Sequence, residues 1–413
     1  MADQAVSSLT NFAVGIVVAR SLGLAEFGAF SLAWVTYGVV LNLSRGLATD
    51  PLVVRFSAVA AGRWRAAVSR SSGTALVLGL VTGVGCAGIG LVVGGPIGAA
   101  FVGLGLALPA VALQDCWRFA FFAAGQPRRA MTNDLVRAAA LVPAMFVVAE
   151  SASIVGFMLA WGLSAAVAAG FGCLQLRLLP SVGAVRGWLR EQRDLGLRYM
   201  IENVSSSGAA QLRMYGLGAI AGLAAVGTVR GAELLLGPFL TVLMGLSQVA
   251  VPEAARVLQR SPHRLSAFCL LLGGAQAVAA LLWGLGLLLL LPDEIGEHLL
   301  HALWLPASAL ILPATLAVMN ASFFTGAAAG LRALGAARRS LRAQLLASAG
   351  YVIGGLAGAA VAGALGSAWG VALGTAFGAT VWWFQLRAGI AERTATTVSA
   401  QSPSVENEGT PAP

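Results

Sequence analysis

Apolar runs of about 20 residues, separated by short polar segments, recur along nearly the whole chain. Runs of that length fit helices crossing a ~30 Å hydrocarbon layer, whereas outer-membrane strands alternate over ~10 residues. With no water inside the bilayer, each run must satisfy its own backbone hydrogen bonds, which a helix does. The pattern predicts twelve spans, at 2–20, 27–48, 73–94, 97–121, 131–149, 152–176, 199–221, 230–252, 264–291, 299–325, 341–364 and 366–386.

The polar segments differ in charge from one end of the spans to the other. All 26 basic side chains are arginines, and all but Arg20, Arg213 and Arg230 fall in one alternate set of loops. By the positive-inside rule, those loops and both termini face the cytoplasm, as expected of a multi-pass membrane protein. The opposite loops are short, and the longest, Asp293–His298, is acidic. They leave no room for a folded catalytic domain. No basic leader or cleavage site precedes the first span, so it is expected to be retained.

Composition narrows the class further. Charged residues are 10% of the chain, against about 25% in soluble domains, and mean hydropathy is +0.82. A soluble enzyme, a coiled coil and a disordered chain are excluded. The net charge of +9 is explained by topology, with no nucleic-acid partner. The four cysteines (Cys86, Cys116, Cys173 and Cys269) lie in apolar stretches and read as inert thiols, with no disulfide, metal or cofactor implied. No catalytic motif is present, so the chain is not read as an enzyme.

The halves superpose at an offset of 199 residues. Asp3-Gln4 falls on Glu202-Asn203, Ser7-Ser8 on Ser206-Ser207, Gly23-Leu24-Ala25 on Gly222-Leu223-Ala224, and Gly28 on Gly227. Six spans separate the equivalents, so the repeat is parallel, with its axis along the membrane normal. The expected organisation is a six-helix lobe over 1–176, a cytoplasmic linker over 177–198, a second lobe over 199–387 and a disordered tail over 388–413. The linker reads as an interfacial helix with Trp188 at headgroup depth.

The stretch Ala19-Arg20-Ser21-Leu22-Gly23, followed by Glu26, Phe27 and Gly28, resembles the opening hairpin of polysaccharide flippases of the O-antigen and teichoic-acid type. These belong to the multidrug/oligosaccharidyl-lipid/polysaccharide (MOP) exporter superfamily, with the MATE drug exporters and the lipid II flippases. The resemblance implies an all-α, MATE-like pair of lobes around a central cavity, working by alternating access. It implies as cargo an undecaprenyl-pyrophosphate-linked glycan, moved outward for surface polysaccharide or lipopolysaccharide synthesis, with membrane lipids and polysaccharide-assembly enzymes as partners. The two extra spans typical of lipid II flippases are missing. The second reading is a MATE-like, cation-coupled antiporter of small molecules.

Ionisable groups at membrane depth are expensive and are therefore the candidates. Arg213, beside Gln211 in the seventh span, suits a pyrophosphate or acidic sugar; a structural ion pair is the alternative. Arg45, with Asn42, is the second cavity candidate, with snorkelling as its alternative. Arg118 follows Asp115 at i, i+3, a spacing that also gives a local ion pair. Arg20 is a turn residue that could meet cargo at the outer mouth. Asp3 and Glu202 are candidates for coupling to H+ or Na+, against a plain helix-dipole role.

Overall fold

The computed structural model describes the backbone of residues 2–57 and 59–401. Side chains are described from Phe12 to Arg393, apart from 58, 202, 204–206, 242, 244–249, 252 and 262. The membrane helices among these residues are α1 (Ala2–Ser21), α2 (Leu24–Phe56), α3 (Ala61–Val93), α4 (Gly95–Ala123), α5 (Pro127–Ala149) and α6 (Ile154–Leu176). They continue with α7 (185–221), α8 (223–260), α9 (Leu265–Leu289), α10 (Ile311–Ala333), α11 (337–361) and α12 (364–401). Twelve spans in two six-helix lobes result, as the hydrophobic pattern predicts. The break between α7 and α8 is Gly222, at φ 82° and ψ 175°, a conformation that only glycine adopts freely. Arg213 and Glu233, 20 residues apart on either side of it, are in hydrogen-bond contact, so the chain folds back there. Ala362-Gly363 does the same between α11 and α12.

Several boundaries depart from expectation. The tenth span is Ile311–Ala333 rather than 299–325; the residues before it form short helices, Asp293–Leu300 and Trp304–Ser308, joined by His301 at φ 47°. The first is amphipathic and is pinned by the Trp304 indole, which donates to Asp293 Oδ1 at 3.0 Å. The third span begins at Ala61, so that Arg63, Arg65 and Arg70 are helical. The last helix continues to Gln401, where disorder was expected from residue 388.

Packing inside each lobe relies on small residues, because lipid offers no hydrophobic drive between helices. Along α3 and α4, Gly79, Gly83 and Gly90 face Pro109, Gly105 and Gly98; along α11 and α12, Gly350, Gly354 and Gly358 face Gly374, Gly370 and Gly366. The lobes meet along two seams. On one, α2 runs antiparallel to α7, with Thr36 Oγ1 and Tyr215 OH 2.7 Å apart and Asn203 Nδ2 donating to Asp50 Oδ2 at 2.7 Å. On the other, α1 meets α8, and Leu234 fills a notch at Gly15.

At the Arg-poor end the seams converge on the repeat itself. A methyl at Gly28 would overlap the Leu223 carbonyl oxygen and lie 3.2 Å from the Gly227 nitrogen. A methyl at Gly227 would overlap the Leu24 carbonyl and lie 3.2 Å from the Gly28 nitrogen. Residues 199 apart in sequence thus touch each other's equivalents, the contact expected where a two-fold axis passes.

At the Arg-rich end, the 177–198 stretch packs against the first lobe. From Val185 it is the first part of the helix that becomes α7. Trp188 is fully buried: it packs on Phe56, and its indole donates to the Leu47 carbonyl at 3.1 Å. Arg55 pairs with Asp194 at 2.5 Å and Arg70 with Glu191 at 2.8 Å. The Arg70 hydrogen bond holds the Glu191 carboxyl below its ordinary range. At Asp194, desolvation is outweighed by the Leu195 amide and Arg55, with the same result. A depressed folded pKa means that the clamp is intact above the ordinary carboxylate range, near pH 4, and is lost as pH falls through the lower folded values. A nitroxide at position 190 is expected to gain mobility below about pH 4. A Glu191→Gln/Asp194→Asn variant should be mobile at every pH, and a spectrum unchanged by acid would count against the clamp.

Candidate functional site

Polar side chains at membrane depth gather in two places. In the first lobe, α2 departs from regular helix in a π-turn over Arg45–Thr49, a widening that frequently marks functional sites. Arg45 grips Asp115 in a fork, Nε to Oδ2 at 2.9 Å and Nη2 to Oδ1 at 2.8 Å, with its face over the Phe119 ring. Asp115 therefore pairs with Arg45, not with Arg118 at i+3. Arg118 instead meets Asp134 of α5 at 3.1 Å. Gln114 Nε2 donates to Asn133 and Asp134, and its Oε1 accepts from Arg137 Nη1 at 3.0 Å.

Arg137 is the residue that sequence reasoning missed. The charge count places it with the loop arginines, although the predicted 131–149 span already contains it. The helix starts at Pro127, which puts Arg137 ten residues, ~15 Å, along it. Its guanidinium lies over Trp161, 5.5 Å from the ring centroid. Trp161 in turn contacts Tyr37 and Trp34, with centroids 4.6 and 5.3 Å away. Among the described residues, no carboxylate lies within ion-pair distance of Arg137. The signal was present in the sequence: Asn133-Asp134 and Arg137 recur at helical spacing inside an otherwise apolar run.

In the second lobe, Arg213 is 3% exposed and stacks on Tyr351 at 5.3 Å. Its Nη2 donates to Glu233 Oε1 at 2.7 Å, while Arg230 Nη1 donates to Oε2 at 2.7 Å. The predicted 230–252 span puts Arg230 and Glu233 at its very start. With α8 starting at 223, both lie inside it. Two cavities flank this group. One of about 190 Å³ lies within the second lobe and includes Arg213, Glu233, Tyr351 and Thr375 in its wall. One of about 450 Å³ lies between the lobes, with Phe12, Phe27, Phe30 and Trp34 on one wall and Arg230, Glu233 and Thr241 on the other. Glu233 belongs to both.

The remaining sequence candidates are dispersed. Asn42 Nδ2 donates to Ser207 Oγ at 2.9 Å, and the Gln211 amide lies against Gly38, so both sit in the α2–α7 seam. Arg20 is exposed in the last turn of α1 and lines neither cavity. The side chains of Asp3 and Glu202 lie outside the described residues. The cysteines are free thiols, three of them buried, and no metal-binding group occurs among the described residues.

No family model matches the chain, and no curated protein matches it by sequence. Solved structures do. A multidrug resistance MATE family transporter of the MOP superfamily, in an inward-facing conformation, aligns with a TM-score of 0.68 at 17% identity, covering 94% of this chain and 96% of that one. The lipid II flippase MurJ, inward closed, aligns at 0.68 and 11% identity, over 95% and 90% of the two chains. A Pyrococcus furiosus MOP superfamily transporter described as having a binding pocket of reverse polarity aligns at 0.57 and 17%, over 95% and 94%. The fold is the two-lobed fold of these transporters.

Proposed function

We propose that this protein is an alternating-access flippase, carrying an undecaprenyl-pyrophosphate-linked oligosaccharide across the bacterial inner membrane for surface polysaccharide synthesis. The observation that carries this reading is the commitment of the charges at membrane depth. Among the described residues, Asp115, Asp134 and Glu233 each hold an arginine, whereas Arg137 has no carboxylate and Arg213 and Arg230 share one. A cationic drug needs an uncommitted carboxylate. A pyrophosphate needs guanidinium donors, and Arg230, 29% exposed at the inter-lobe cavity, presents one. The aromatic wall across from it suits sugar rings. In this scheme the Arg-rich end is cytoplasmic, the lobes of 1–176 and 199–387 move against each other, and Asp3 and Glu202 take part in coupling to H+ or Na+.

A deletion strain should accumulate lipid-linked glycan and lose surface polymer. Wild type should restore both, while Arg137→Gln and Arg230→Gln, expressed normally, should fall short by about tenfold or more in flux, the loss of a charge-assisted hydrogen bond. Normal glycan with new sensitivity to cationic dyes would instead establish the MATE-like antiporter.

A further inference from the structure

The 190 Å³ cavity of the second lobe is too small for the proposed cargo, holding about six waters at ~30 Å³ each, and most of its wall is Ala, Leu and Val. Yet it includes Arg213, whose Nε is buried without a hydrogen-bond partner among the described residues. The charge beside it does not balance. Among the described residues, Arg213 and Arg230 share the single carboxylate of Glu233, one oxygen each, which leaves one positive charge in excess. Arg230 reaches the larger cavity; Arg213 has almost no exposure and cannot draw on bulk water. An enclosed guanidinium with an empty donor and an uncompensated charge is costly at membrane depth. Water would fill the donor but leave the charge.

From this we infer that the cavity binds a small monovalent anion of the halide class, held by the Arg213 guanidinium with the Tyr351 hydroxyl beside it. The Thr375 hydroxyl is already bonded to the carbonyls of Val371 and Ala372, so few donors remain. That scarcity, with the apolar wall, favours a monatomic, weakly hydrated ion over a phosphate, which needs several donors. The site is independent of the transport reading, because the anion is not the cargo.

Bromide titration of the purified full-length protein in nanodiscs, with gluconate holding ionic strength, tests this by calorimetry. One saturable site per chain is expected, absent in Arg213→Gln and weakened in Tyr351→Phe. Glu233→Gln removes the competing carboxylate and should tighten binding at least tenfold, and Arg20→Gln should match wild type. The inference is overturned by no saturable bromide binding in the wild type, by wild-type binding in Arg213→Gln, or by Glu233→Gln binding no more tightly. The Glu233→Gln arm decides the matter even where Arg213→Gln does not fold. None of these readouts involves glycan, so the flippase reading can fail while the anion site stands.

Discussion

Gly28→Val is expected to force the lobes apart at the Arg-poor end and to abolish transport while leaving the protein inserted and folded. The added carbons meet the Leu223 carbonyl, which is backbone and cannot turn away as a side chain would. Overpacking of this kind costs about 1–3 kcal/mol where neighbours can adjust and more where they cannot. Because ~1.4 kcal/mol is tenfold in population, the closed arrangement should become at least ten times rarer. A cysteine at Ser31, one turn along α2 and lining the inter-lobe cavity, reports this in a background lacking the four native cysteines. Its reaction with a membrane-impermeant maleimide should accelerate by a similar factor. Gly227→Val should do the same, and the double variant little more, because the two residues make one reciprocal contact. Gly23→Ala, whose methyl would meet nothing closer than the Glu26 carboxylate at 3.9 Å, should leave labelling unchanged. Unaltered labelling in properly inserted Gly28→Val would remove the glycine pair as the closing contact.

That contact was legible in the sequence as an offset. Gly-Leu-Ala turns and polar doublets are distinctive in a chain dominated by Ala, Leu and Gly, so the 199-residue repeat stood out, and its glycines prove to lie where the halves meet. Span number was legible because ~20 apolar residues have one solution in lipid. The ends of the spans were not. Hydropathy falls gradually where arginines extend a helix beyond the bilayer, so α3 was started twelve residues late and the entry to α7 was read as a separate linker. The tenth span is predicted too early because residues 299–308 are apolar enough to extend it, while the backbone turns at His301. Within the site, Arg45, Arg118 and Arg213 were identifiable by type and position. Their partners were not, since Asp115 is 70 residues from Arg45 and no local spacing records a contact between α2 and α4. Arg137, six residues inside the predicted 131–149 span, and Arg230, at the first residue of 230–252, are counted with the loops by charge alone, and helix starts at 127 and 223 put both well inside.

Partner assignments separate arginines that hold the fold from arginines free to meet cargo. Asp115→Asn removes the charge and one of the two acceptors of the Arg45 fork, at a side chain that is only 9% exposed. Breaking a buried pair from one side costs 3–5 kcal/mol, and since the Arg45 side chain is 29% exposed, about 3 kcal/mol is expected. Thermal unfolding of the full-length protein, followed with a thiol-reactive dye on its buried cysteines, should show a drop of several degrees. Arg45→Met/Asp115→Leu should recover most of that loss, because apolar side chains of similar volume replace a desolvated pair at little net cost. Arg137→Gln should behave in the opposite sense. With no carboxylate to strand, it should shift the unfolding temperature little, while glycan flipping falls about tenfold or more. If Arg137→Gln instead unfolds as readily as Asp115→Asn, its guanidinium is a structural element of the first lobe. The anionic cargo would then have to rest on Arg230 alone, and the flippase reading would lose half of its chemistry.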